Sequence, residues 1–539
     1  MAVNTSRRDF VRLAAIGVAG AGAVSNSSPT KAEVARVASG PFCYNIRNYG
    51  ATGDGHTLDT SAINRAIEEA ALAGGGVVYL PPGTYLCYSV RLKSNIALHF
   101  DPGATIVAAD SPRIDDDGTR GYYDLAEPKT PWDAYQDYGH NHWHNSLIWG
   151  EGLKNISIIG PGLIWGKGLS QGNGPGPKAE LPGVGNKSIA LKNCHNVILR
   201  DFSILHGGHF GILATGVDNL TIDNLKIDTN RDGMDIDCCH NVRIANCSVN
   251  SPWDDAICLK SSFALGYARA TQNVTITNCM VSGSFEEGTL LDATCKRFPA
   301  GAKVKRLGRI KFGTESNGGF NNITIANCIF DGCNGLAIET ADGAVVEDVT
   351  ITNIAMRDIT NSPIFLRLGS RMRGPENTPV GKLRRVTITN VVCSNASSRL
   401  SSVISGVPGH LVEDVLLANI FVQHSGGGTS AEARLYPPEL AAGYPEPDKF
   451  GMMPSHGFFL RHIHGIEMRD INVCTAQQDQ RPAFVLEDVE QADFIHIQMP
   501  EVPGVPAFLL ANVRNFNLYQ SRPLTDVHLD HAEKKKLQS

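Results

Sequence analysis

The sequence predicts an all-β chain wound as a parallel β-helix, and three observations carry that reading. First, a short run made of a polar residue, usually Asn, followed by apolar, polar and apolar residues recurs along most of the chain. It appears at Asn155, Asn196, Asn219, Asn241, Asn273 and Asn322, with further copies starting at Asp348, Arg385 and Asp414. Period-2 alternation marks strands with one buried face. Second, the tightest copies, Asn196 to Asn219 to Asn241, are 23 and 22 residues apart. That is the length of one solenoid turn, and the Leu signature of leucine-rich repeats is missing. Third, 55 glycines in 539 residues exceed the usual share of roughly 7%, which suits many tight turns.

In chain order, Ser6-Arg7-Arg8-Asp9-Phe10-Val11 precedes a small-residue apolar run from Leu13 to Val24. This reads as an export signal of twin-arginine type, with a linker, over residues 1–38. The run is too short and too rich in Ala and Gly for a membrane span. A single β-helix domain is expected over 40–526. Within it, Asp59-Thr60 should cap a helix with inward Ile63, Ala66, Ile67 and Ala70, closed by Gly74-Gly75-Gly76. A helix with the short strands Val77–Leu80, Tyr85–Leu86 and Ile96–Phe100 fits the cap that a solenoid's open end requires. Long gaps between repeats place insertions at Asp110–Ser146, Ser261–Gly308 and His424–His456. Residues 527–539, with Lys534–Lys536, read as a charged, solvated tail. The 13 cysteines are an odd number, and Cys194, Cys247, Cys279 and Cys328 each follow Asn. They are expected to stack inside rather than bridge. A net charge of −6 with no long basic run gives no electrostatic case for nucleic acid, and none is expected as a partner.

The candidate chemistry lies between Asn230 and Ser261. Asp232 stands in an Asn-Arg-Asp-Gly turn, and Asp254-Asp255 follow one repeat later. If one repeat is one turn, the three carboxylates gather on one edge, since neighbouring strands lie about 4.8 Å apart. Crowded like charges raise at least one pKa, which supplies an acid beside a base. Turn formation and calcium ligation are equally open readings of the same residues. His209 should face the same cleft. His140-Asn141-His142-Trp143-His144 lies in an insertion, where a sugar-lining loop is the expected role and a metal site the alternative.

Taken together, the Asn-x-Asp-Gly turn, the Asp-Asp-x-Ile-x-Leu-Lys-Ser run and the strand repeat resemble the polygalacturonases, glycoside hydrolase family 28. The resemblance implies a right-handed parallel β-helix and a metal-free, cofactor-free hydrolysis of pectic glycans that inverts the anomeric centre. It implies that Asp254 is the general acid and that Asp232 and Asp255 hold and deprotonate water, the carboxyls standing roughly 6.5–9.5 Å apart. Asn230 and Lys260 match substrate-binding positions. Two departures stand out. Gly308 occupies the place of the family's accessory His. Ala337 and Glu339 replace the Arg and Lys that hold the uronate carboxylate. Arg309 and Lys311 could clamp that carboxylate one turn earlier, or pair with Glu339. The expected protein is a periplasmic or secreted monomer acting on pectic chain ends. A lyase or a non-catalytic glycan-binding β-helix is the alternative.

Overall fold

The computed structural model describes residues 42–111, 122–172, 178–299 and 301–538. The expected export signal lies outside them. No helix among the described residues is long and apolar enough to cross a membrane.

The repeat has a conformational cause. Every residue that opens a copy, from Asn155 to Asp414, has φ between 52° and 58°. Asn and Asp tolerate this left-handed region because their short polar side chains bond locally. The residue therefore bends the chain into the next strand. Successive Asn carboxamides also bond one another: Asn196 Nδ2 donates to Asn155 at 2.9 Å, and Asn219 Nδ2 to Asn196 at 2.8 Å. The strands that follow pair in parallel and in register: Leu220 faces Val242, which faces Val274, then Ile323 and Val349. Their buried side chains form one continuous core along the solenoid. Cys247, Cys279 and Cys328 stack within it as free thiols.

The helix α1 (Thr60–Leu72) buries Ala62, Ile63, Ala66, Ile67 and Ala70. Asp59 makes no side-chain cap bond to it. Its carboxylate accepts instead from the backbone N–H groups of Thr52 and Gly53, at 2.7 and 3.0 Å, and so fixes the preceding turn. At the other end the expected charged tail proves to be a strand. Residues Val527–Leu537 run antiparallel to Phe508–Tyr519. Lys534–Lys536 are exposed, but Ala532 and Leu537 are buried, and the strand covers the last turn's edge.

Five strands of one sheet position the site: β1 (Phe210–Thr215), β2 (Asp232–Asp237), β3 (Ile257–Ser261), β4 (Ile310–Ser316) and β5 (Leu336–Thr340). The outward face of this sheet changes along its length. On the β1 side Trp143, from the 122–146 insertion, packs with Leu213 and Phe210. Beyond β5, Phe450 and Met453 from the 427–456 insertion pack with Ala337, Phe365, Val403 and Phe459. Arg461 donates to the carbonyls of Pro437 and Pro438, both at 2.9 Å, which ties that strap down. Between the two apolar covers lies a polar window.

Candidate active site

The window opens into a cavity of about 280 Å³ lined by His209, Arg231, Asp232, Asp254, Asp255 and Lys260, among others. Adjacent stacking brings the three predicted carboxylates together. Phe210 is level with Asp232 and Met234 with Ile257, so the turn bearing Asp254-Asp255 lies beside the start of β2. One oxygen from each of the three lies within 4.8 Å of the others. The nearest oxygens of the three thus lie closer together than the 6.5–9.5 Å expected between whole carboxyl groups. Asp232 and Asp254 stand on neighbouring turns, and the inter-strand spacing sets their distance.

The three differ electrostatically. Burial pushes the Asp232 carboxyl well above its usual range, and Asp254 and Asp235 push it further. Burial also raises Asp254, although Arg231 Nη2 lies 2.6 Å from its Oδ2. Asp255 behaves oppositely. Burial would raise it, but Lys311 and Arg309 outweigh that and hold it below the usual range. Arg309 Nε donates to Asp255 Oδ1 at 2.8 Å, and Lys311 Nζ lies 3.4 Å from Oδ2.

The predicted binding residues divide. His209 lines the cavity, stacked on Phe210 with ring centroids 4.3 Å apart. Burial, then Arg231, hold its imidazole well below its usual range, so it is neutral. Lys260 and Lys311 also line it, Lys260 bonded to Glu315 at 2.9 Å and 3.8 Å from Asp235. Arg309 does not fit the carboxylate-clamp reading. It is fully buried, bonded to Asp255 and to Glu446 of the strap. The alternative partner, Glu339, is 3.5 Å from Lys311. Asn230 is not among the lining residues; its carbonyl accepts the Trp253 N–H at 3.0 Å and shapes the turn before the acid pair.

Gly308 does stand at Asp254, donating its N–H to the Asp254 carbonyl at 2.8 Å. A Cβ there would sit 2.2 Å from the Ser282 carbonyl oxygen, so no side chain fits. Arg231 is the charged group that touches Asp254 instead.

The three histidines of the 140–144 run diverge and do not form a metal site together. His140 Nε2 meets Asp235 at 3.0 Å, His142 packs on Tyr138, and His144 meets Glu151 at 2.9 Å. Glu127, His144 and Glu151 do converge, as do the three aspartates. Glu151 also pairs with Lys192 at 2.9 Å. Arg231, Arg309 and Lys311 likewise neutralise the aspartates, which leaves little charge for a cation to gain.

Sequence reading missed Arg231, Tyr444 and Glu446. Arg231 lies inside the quoted turn, and its position beside the next turn's acid pair was the available signal. Glu446 lies in an insertion without periodicity, so nothing local marks it.

The fold is that of the right-handed, pectate lyase-like β-helices. Residues 43–157 match the family described as rhamnogalacturonase A/epimerase, pectate lyase-like, and residues 178–306 the right-handed β-helix region. Parts of the chain are similar to polygalacturonases. The chain is 29% identical to an exo-poly-alpha-D-galacturonosidase of Dickeya chrysanthemi over 37% of this chain and 31% of that enzyme. The match thus spans about a third of the Dickeya protein's length. It is 22% identical to a probable polygalacturonase of Vitis vinifera over 70% of this chain and 73% of that one. In fold it is similar to the Yersinia enterocolitica family 28 exopolygalacturonase, with TM-score 0.59 and 19% identity over 86% of this chain and 79% of that one.

Proposed function

We propose that the protein is an exported glycoside hydrolase that cleaves α-linked galacturonate-type bonds of pectic glycans, from chain ends and with inversion. The observation that carries the reading is the pairing of raised and depressed carboxyls at one cavity. Burial raises Asp232 and Asp254, Asp254 raising Asp232 further, while Lys311 and Arg309 hold Asp255 below its usual range. Asp254 keeps 23% of its side chain exposed, so it is the member that reaches the glycosidic oxygen as general acid. Asp232, once ionised, is the base, and Asp255 is the fixed acceptor that orients the attacking water.

The spacing suits this. A water bonded at about 2.8 Å to each of two oxygens can bridge them when they are up to roughly 5.6 Å apart. Oxygens of the three aspartates that lie within 4.8 Å of one another fall inside that reach. Oxygens this close do not by themselves separate single from double displacement, so the anomer first released is the test. NMR of fresh digests should show the inverted anomer; the retained one would overturn the single-displacement step. The two apolar covers on either side of the window support action at chain ends, because they stop an extended chain from running along the sheet. Export rests on the twin-arginine pattern, and a fusion of residues 1–38 to a reporter checks it.

Asp254→Asn assigns the acid. It should retain far more activity on a substrate with an activated aryl leaving group than on the natural glycan. Equal losses on both would place the acid elsewhere. An unsaturated, ultraviolet-absorbing product would instead indicate lyase chemistry.

A further inference from the structure

The cations of the cavity are already occupied. Arg231 pairs with Asp254 at 2.6 Å and Lys260 with Glu315 at 2.9 Å. Lys311 Nζ lies 3.0 Å from Glu446 Oε1, 3.4 Å from Asp255 and 3.5 Å from Glu339. Arg309 bonds Glu446 as well. Glu446 therefore bridges Arg309 and Lys311, the place where two cations on β4 and its approach could have received an anion.

The strap holds Glu446 firmly. It lies between Pro445 and Pro447 in extended backbone, and Pro447 and Phe450 are buried just after it. Phe450 and Met453 pack with Ala337 and Phe365, and Arg367 Nη2 donates to the Glu439 carbonyl at 2.6 Å. Ala337 matters here, because a long side chain at that outward position would collide with the strap. Glu339 adds another carboxyl with no hydrogen-bond partner, fully buried behind Lys311. A sugar carboxylate entering beside Lys311 would meet the carboxylates of Asp255 and Glu446, which already balance the two cations. Burying a further unpaired charge is costly.

We infer that Glu446 is a specificity-determining residue, an internal carboxylate that fills the anion position, so that the sugar ring bound over Lys311 is uncharged at C6. Two pectic chemistries share that property: a methyl-esterified uronate, and a neutral ring alternating with uronates. The activity arm of the test rests on the hydrolase reading; the binding arm does not.

The experiment compares three oligomers of equal length: free galacturonate, its methyl ester, and an alternating uronate–neutral deoxyhexose chain. The native protein should favour an uncharged-ring oligomer over free galacturonate at least tenfold in kcat/KM, and the better of the two identifies the source. Glu446→Gln should reduce that ratio at least tenfold, chiefly through KM, while Glu446→Asp keeps the native order. A native preference for free galacturonate overturns the inference, as does an unmoved ratio in a Glu446→Gln protein of native melting temperature. If Glu446→Gln does not fold, the native preference alone decides. If no oligomer is cut, the hydrolase reading fails, and calorimetric binding of the three oligomers to the native protein still tests the inference by the same order.

Discussion

Asp254 and Asp255 share a peptide bond and a turn, but not their neighbours. Asp254 faces the cavity with one cation, Arg231, beside it. Asp255 is 5% exposed and is held by Arg309 and Lys311. Burial pushes both upward; Arg231, Lys311 and Lys260 do not offset it at Asp254, while Lys311, Arg309 and Lys260, with the Arg309 hydrogen bond, do so at Asp255. A single turn thus carries one carboxyl raised and one lowered from the usual range, because consecutive side chains leave the backbone toward different surroundings.

The sharpest way to break that contrast is Asp254→Asn. Loss of a general acid removes about 10²–10⁴-fold in rate. We expect kcat to fall by about 10³ on natural glycan with the melting temperature nearly unchanged, read by reducing-end release and calorimetry. Asp255→Asn should act on folding too. It strips Arg309 and Lys311 of a buried partner, and breaking a buried pair costs about 3–5 kcal/mol. A lowered urea midpoint with unchanged slope is the expected result.

Arg231→Gln probes the one-cation side. Without that charge the Asp254 carboxyl rises further, and a general acid works only while protonated. The alkaline limb of the kcat profile should therefore move to higher pH, by about one unit if the guanidinium contributes near 1.4 kcal/mol. Profiles of native and variant protein over the same pH range check it. The smallest effect concerns Glu339, which burial pushes up from 4.5 to about 8. Its folded pKa lies above the unfolded one, so its stabilisation is complete below pH 4.5 and is lost as pH rises through 8. Glu339→Gln should flatten the fall in melting temperature across that window.

Much of the fold was legible because its determinants are local. Alternation and a left-handed Asn repeat at every turn, and both are written in consecutive residues. The aspartate cluster followed from the repeat length alone. What was not legible depends on distant chain. Arg309 and Lys311 look like free cations until Glu446, more than a hundred residues on, arrives through an aperiodic strap. The tail was misread for a related reason. Its lysines are exposed as charge demands, but every second backbone bond is spent on the neighbouring strand.

Gly308 has a consequence for descent. With the Ser282 carbonyl 2.2 Å from where a Cβ would be, no single codon change can place a histidine beside Asp254. The 282–308 connection would have to move first, and that move would disturb the Gly308 bond to the Asp254 carbonyl. The glycine at this place is thus held by the order in which changes would have to occur, the connection first and the side chain second.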